Sequence, residues 1–265
     1  MAQLIDHPLV IAILGKGGVG KSILTTLMAK NISLEYNLKL LLIDADPTHP
    51  HLSKMVKLNP KKSIEKVRAE LINSILSKEK PTDQIAENID FNVYNAMVES
   101  KQFSLFSIGQ PEGPGCFCPS NTILRRVIES ISKDFDIVLI DCEAGLEIVN
   151  RLVIQSVDII LIVTDISIRG IDTAESIRSS AVKFTKYKQM GIIVNKVRGD
   201  ISSIVEKIQA LNFKLLGLIP EDDNIKEFDL QGKPIIDLPL NSESYLEVKK
   251  LVIELLNLKN SFLRK

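Results

Sequence analysis

Short, nearly unbroken apolar runs recur along the chain, at Val10–Leu14, Lys39–Asp44, Ile137–Asp141, Ile159–Val163, Ile192–Val194 and Leu215–Ile219. Runs of that length without a polar face are the pattern of strands buried on both sides of a parallel sheet. Longer stretches with helical spacing lie between them, at Ser22–Tyr36, Ile123–Ser132 and Ile168–Lys186. The alternation predicts a doubly wound α/β fold built on a mostly parallel sheet. The stretch 60–115 is the most irregular: helical at first, then a strand near Phe91–Tyr94. It reads as an insertion within a single domain spanning residues 1–265. Near the end, Val248, Leu251, Val252, Leu255 and Leu256 form one apolar stripe, the spacing of a helix packed on the sheet.

Composition narrows the function classes. Lys plus Arg and Asp plus Glu are both 33, so the net charge is zero and no overall field gathers nucleic acid or anionic lipid. No apolar run approaches the length of a membrane span, and Met1–Pro8 lacks the charged and apolar regions of a secretory signal. A cytoplasmic location is expected, with no nucleic-acid or membrane partner. The three cysteines, Cys116, Cys118 and Cys142, are too few for a disulfide framework.

The first apolar run is followed by Gly15-Lys16-Gly17-Gly18-Val19-Gly20-Lys21-Ser22 and then a helical pattern, which fits the P-loop template. Glycines there let backbone N–H groups turn toward phosphates at the positive end of a helix. Lys21 would supply a point charge to the β- and γ-phosphates, and the Ser22 hydroxyl a ligand for Mg²⁺. Lys16, a second lysine directly after the first glycine, makes the loop resemble the deviant Walker A motif of the MinD, ParA, nitrogenase iron protein and arsenical-pump class. The resemblance implies a nucleotide-dependent homodimer in which Lys16 reaches the partner's nucleotide and acts catalytically in trans.

Two apolar runs end in carboxylates, Asp44-Ala45-Asp46-Pro47 and Asp141-Cys142-Glu143-Ala144-Gly145. Strand C-termini are where open α/β sheets place their ligand sites. Asp141 looks like a Walker B aspartate beside magnesium, with Asp44 next to the same ion. The resembled class implies that Asp46 orients the attacking water and that Gly145 belongs to a switch sensing the γ-phosphate. Asn195, with Pro220 and Asp222 after the last run, matches the places where that class reads the purine. Arg198 stands where a guanine signature requires aspartate, so ATP and ADP are preferred over guanine nucleotides.

The segment Gly115-Cys116-Phe117-Cys118-Pro119 carries two thiols one residue apart, which face the same side in an extended backbone. Two sulfurs leave a four-ligand site half complete, and an isologous dimer supplies the other pair. Zn²⁺ and square-planar Ni²⁺ both accept such an interfacial four-thiolate site. With this motif added to Gly15–Ser22, Asp44–Pro47 and Asp141–Glu147, nearly the whole chain resembles the CooC-type ATPases of nickel-enzyme maturation. That resemblance implies metal delivery, coupled to ATP hydrolysis, to a client nickel enzyme of carbon monoxide dehydrogenase or acetyl-CoA synthase type. His49-Pro50-His51 departs from it and reads as a solvated loop, and Cys142 as a small buried thiol. The alternatives are a MinD/ParA-like positioning ATPase and an iron–sulfur carrier, whose cysteines would be spaced by two residues near the C-terminus.

Overall fold

The computed structural model describes residues 7–47, 50–77, 91–110, 118–142 and 156–262. Among these, one sheet has the strand order β3-β4-β2-β5-β1-β6-β7-β8. The strands are β1 (Leu9–Gly15), β2 (Leu40–Ala45), β3 (Val98–Glu99), β4 (Ser104–Ser107), β5 (Ile137–Cys142), β6 (Ser156–Thr164), β7 (Lys186–Val197) and β8 (Leu215–Pro220). All pairings are parallel except that of β3 with β4. The helices are α1 (Lys21–Glu35), α2 (Leu52–Met55), α3 (Ile64–Ser77), α4 (Cys118–Ser132), α5 (Ile168–Phe184), α6 (Ser202–Ala210), α7 (Asp223–Leu230) and α8 (Glu243–Phe262). A 3₁₀ turn at Ile235–Asp237 and a helical turn over residues 91–96 complete the described elements.

Side chains alternate between the two faces of the sheet with the strand period of two. Val10, Ala12 and Leu14 of β1 join Leu41 and Ile43 of β2 in a core closed by α3, α4, α5 and α6. Leu9, Ile11 and Ile13, with Leu40 and Leu42, face the other way, onto Leu24, Leu27 and Met28 of α1 and Leu251 of α8. Burial on both faces explains why these strands read as continuous apolar runs. Because the central strands run the same way, their C-terminal ends share one edge, and the loops that leave it form the site.

The structure departs from the sequence reading in the irregular stretch. Residues 91–94 are helical, not a strand: Val93 and Ala96, three apart, are buried, while Phe91 and Tyr94 point outward. That is the spacing of one helical turn. The described strands of this region are the two-residue β3 and β4, whose two apolar residues, Leu105 and Phe106, are flanked by serines and make no conspicuous run. It pairs with β2, so the stretch adds to the edge of the main sheet. β7 is also longer than the apolar run 192–194, because its half-exposed first residues continue to pair with β6.

The C-terminal stripe packs inward. Val248, Leu251, Val252 and Leu255 are buried in the core shared with α1 and β8, and Leu256 lies partly buried against it. A buried cation supports the same corner: the Lys30 ammonium of α1 donates to the carbonyls of Ile236, at 2.8 Å, and Leu238. Burial pulls its pKa below the usual lysine value, against a smaller upward pull from Asp237. Among the described residues no helix is long and apolar enough to cross a membrane. Leu251→Ala should destabilise the protein by about 2–5 kcal/mol in denaturant unfolding. An unchanged midpoint would mean that the stripe faces something other than the core.

Candidate nucleotide site

The loop after β1 is shaped by two glycines that no other residue can replace. A Cβ at Gly15 would stand 2.3 Å from the carbonyl oxygen of Val163 on β6. Gly20, the N-cap of α1, has φ +94°, and a Cβ there would meet the Asn195 amide nitrogen at 2.5 Å. The first turn of α1 has no side-chain cap and no acidic residue. The helix therefore supplies no anion of its own to its first amides and the positive end of its dipole, the arrangement that binds phosphate at helix starts. Lys16, Gly17 and Gly18 are exposed, whereas the Val19 side chain is buried in the core, so Val19 offers a ligand only its backbone. Lys21 is buried, and its ammonium donates to the Lys16 carbonyl at 3.2 Å.

Asp44 and Asp141 stand side by side, paired in register on β2 and β5. Both are buried, and among the described residues Asp44 Oδ2 and Asp141 Oδ1 have no hydrogen-bond partner. Burial pushes the Asp44 pKa up to about 8, helped by the negative charge of Asp141, while amide donors from Asp46 and Leu52 oppose the rise. Burial raises Asp141 to about 6, against a hydrogen bond from Ser22 and the nearby Lys21 ammonium. Two bare carboxylate oxygens beside a serine hydroxyl and a phosphate-binding loop suit a hard divalent cation. Mg²⁺ in nucleotide sites takes one or two carboxylates and completes its shell with phosphate oxygens and water. Ser22, Asp44 and Asp141 would hold it, and its charge would offset that of the phosphates. Asp46, half-buried, donates its amide to Asp44 Oδ1 at 3.3 Å.

On the other side of the loop, α1 and the ends of β7 and β8 enclose a cavity of about 130 Å³. Ile23, Leu24 and Ile225 give it apolar walls, and Asn195, Pro220, Glu221 and Asp222 line its rim. Asn195 donates its side-chain amide to the Val19 carbonyl at 2.7 Å. Asp222 is occupied differently: it caps α7 and accepts from Ser242, Ser244 and Asn224. Burial pushes its pKa up, but those hydrogen bonds outweigh burial and hold it below the usual carboxylate value. What Asp222 brings to the cavity is shape, its oxygens being already engaged. Lys196, absent from the sequence-derived set, donates from its ammonium to the Gly18 carbonyl at 2.8 Å.

The thiol pair is only partly in view. Cys118 opens α4, while Cys116, Gly145 and His49 lie outside the described residues. Because β4 runs parallel to β2, the chain after β4, described through residue 110, leaves the same edge of the sheet as the P-loop. Its approach is tied to the acidic pair, since the Ile108 amide donates to the Asp44 carbonyl at 2.9 Å. Cys142 is a buried thiol at the end of β5, and His51 is exposed. Among the described residues no group of three or more His, Cys, Asp or Glu could hold a metal by itself.

Loop, acidic pair and apolar cavity together make a candidate nucleotide site. The chain belongs to the family described as the CobQ/CobB/MinD/ParA nucleotide binding domain, which matches residues 10–235. It is similar to the uncharacterized ATP-binding protein MJ0685 of Methanocaldococcus jannaschii, 35% identical over 254 residues, 95% of this chain and 100% of that one. It is also similar to the carbon monoxide dehydrogenase accessory protein CooC of Rhodospirillum rubrum, 31% identical over 249 residues, 86% and 89% of the two chains. In fold it resembles the septum site-determining protein MinD of Pyrococcus horikoshii, solved with Mg-ADP, with a TM-score of 0.66 at 21% identity over 94% and 96% of the chains.

The acidic pair sets a pH dependence in the protein without nucleotide or metal. Folding raises both pKa values from 3.8, to about 8 for Asp44 and about 6 for Asp141. A folded state that holds protons more tightly is favoured at low pH. The stability these groups contribute is thus full below about pH 4 and falls as pH rises through about 6 and then about 8. Asp44→Asn should remove most of this slope, gaining on the order of 2 kcal/mol at about pH 9 while losing stabilisation by Mg-ATP. Thermal melts of both proteins across that range measure it; parallel curves would show that Asp44 is not the source.

Proposed function

We propose that this chain is a single-domain cytoplasmic ATPase whose nucleotide cycle delivers a metal ion, nickel or zinc, to a client enzyme. The observation that carries this reading is the Cys116-Phe117-Cys118 pair in the sequence, between β4 and the first residue of α4. Similarity to the carbon monoxide dehydrogenase accessory protein supports a nickel enzyme as client. In this reading ATP binds Gly15–Ser22, with its base in the Asn195 cavity, and draws two copies together. Lys16 of each copy crosses to the other's phosphates, offsetting charge in the transfer as an arginine finger does. Asp46 orients the attacking water, and a switch containing Gly145 relays the loss of the γ-phosphate. Two thiolates from each copy hold the cargo ion between them, so metal binding and dimerisation favour each other by equal free energies.

A second reading, a MinD/ParA-like positioning ATPase, is favoured by the shared fold. Weighing against it, the apolar stripe of α8 is spent on the core and is not free to enter a lipid surface.

Cys116→Ser should abolish metal-induced dimerisation while leaving ATP binding intact, as read by metal analysis coupled to size-exclusion chromatography under reducing conditions. One ion per two chains supports delivery; iron with sulfide would point to a cluster carrier, and lipid binding without metal to a positioning ATPase. Lys16→Ala should leave ATP bound but lower turnover by on the order of a hundredfold or more. Unchanged turnover would remove the trans-acting lysine from the scheme.

A further inference from the structure

Two consecutive carbonyls of the P-loop are held by two consecutive residues of β7. Asn195 Nδ2 donates to the Val19 carbonyl at 2.7 Å, and Lys196 Nζ donates to the Gly18 carbonyl at 2.8 Å. The strand is distorted where they stand: its register against β8 shifts between Val194 and Val197. Within that shift Lys196 has φ +58°, a left-handed backbone that lysine rarely adopts. Irregularities of this kind re-aim side chains beside functional sites, and strained backbone persists where the surroundings over-determine it.

The peptide unit is planar and trans, so its N–H points opposite to its C=O. Pulling the Gly18 and Val19 carbonyls toward β7 therefore turns the N–H groups of Val19 and Gly20 to the other side. Successive amides aimed into one concavity are the geometry that binds phosphate. The Val19 amide reaches the Lys16 carbonyl across 3.4 Å, a long bond that a phosphate oxygen can replace. Neither glycine flanking this turn could set the direction by itself, since glycine tolerates both signs of φ.

We propose that Asn195 and Lys196 form a two-point clamp that aims the amides of the phosphate loop, with Lys196 a positioning residue for phosphate binding. This rests on the loop being the nucleotide site, and it assigns to Lys196 no contact with the base or the transferring group. Because Asn195 also lines the base cavity, a base in that cavity and the shape of the phosphate loop are joined through one bulge.

The test compares wild type, Lys196→Gly and Lys196→Arg for binding of ATP and of tripolyphosphate, which has no base, by calorimetric titration. Glycine keeps the left-handed backbone and removes the cation; arginine restores a donor. The clamp predicts that Lys196→Gly binds both ligands about threefold to tenfold more weakly, by the same factor for each, as expected for an exposed charge-assisted hydrogen bond. Lys196→Arg should recover most of the loss, and both variants should melt within a few degrees of wild type. A loss confined to ATP would place Lys196 on the base or ribose and overturn the clamp, as would equal affinity in all three proteins. Wild type that binds neither ligand would instead overturn the assignment of the loop itself.

Discussion

The site depends on two carboxyl groups being held side by side in a place that disfavours the charged form of either one. Parallel pairing of β2 with β5 puts Asp44 and Asp141 in register, and the layered core above and below removes water from both. Each has an oxygen that no described residue satisfies. A proton or a bound cation relieves such a pair, and the buried acids, the uncapped start of α1 and Lys21 all converge on one edge. The rest of the architecture follows from keeping those strands adjacent and parallel.

Much of this was legible in the residues. Strands buried on both faces announce themselves as unbroken apolar runs, and the P-loop lies directly after the first of them. Asp44 and Asp141 close two such runs, so their placement at the ligand edge follows from strand direction alone. What the pattern hid was local and tertiary. β4 holds two apolar residues between serines and is a strand because Asp44 and its neighbours on β2 offer it a partner. Phe91–Tyr94 carries strand-forming residues, yet Val93 and Ala96 find the core only when coiled.

The base side shows the same limit more sharply. Asn195 and Asp222 both end apolar runs, yet one faces the loop and the other is absorbed in capping α7 and holding Ser242 and Ser244. No spacing rule separates those outcomes; they depend on residues from 20 to 176 positions away. Lys196 was hidden for a related reason, since its reach to Gly18 depends on a register shift that arises only when β7 and β8 pair. Similarity to both a carbon monoxide dehydrogenase accessory protein and MinD proteins fits the rule that one fold carries several functions.

The glycines of one short loop also divide into two kinds. A methyl group at Gly15 or Gly20 collides with backbone or with Asn195, so such a change damages the folded chain before any ligand arrives. At Gly17 the same methyl meets no described atom within 4 Å, and Gly17 is exposed. Inherited changes at these positions would then leave different traces in a cell, scarce protein in the first case and abundant but idle protein in the second.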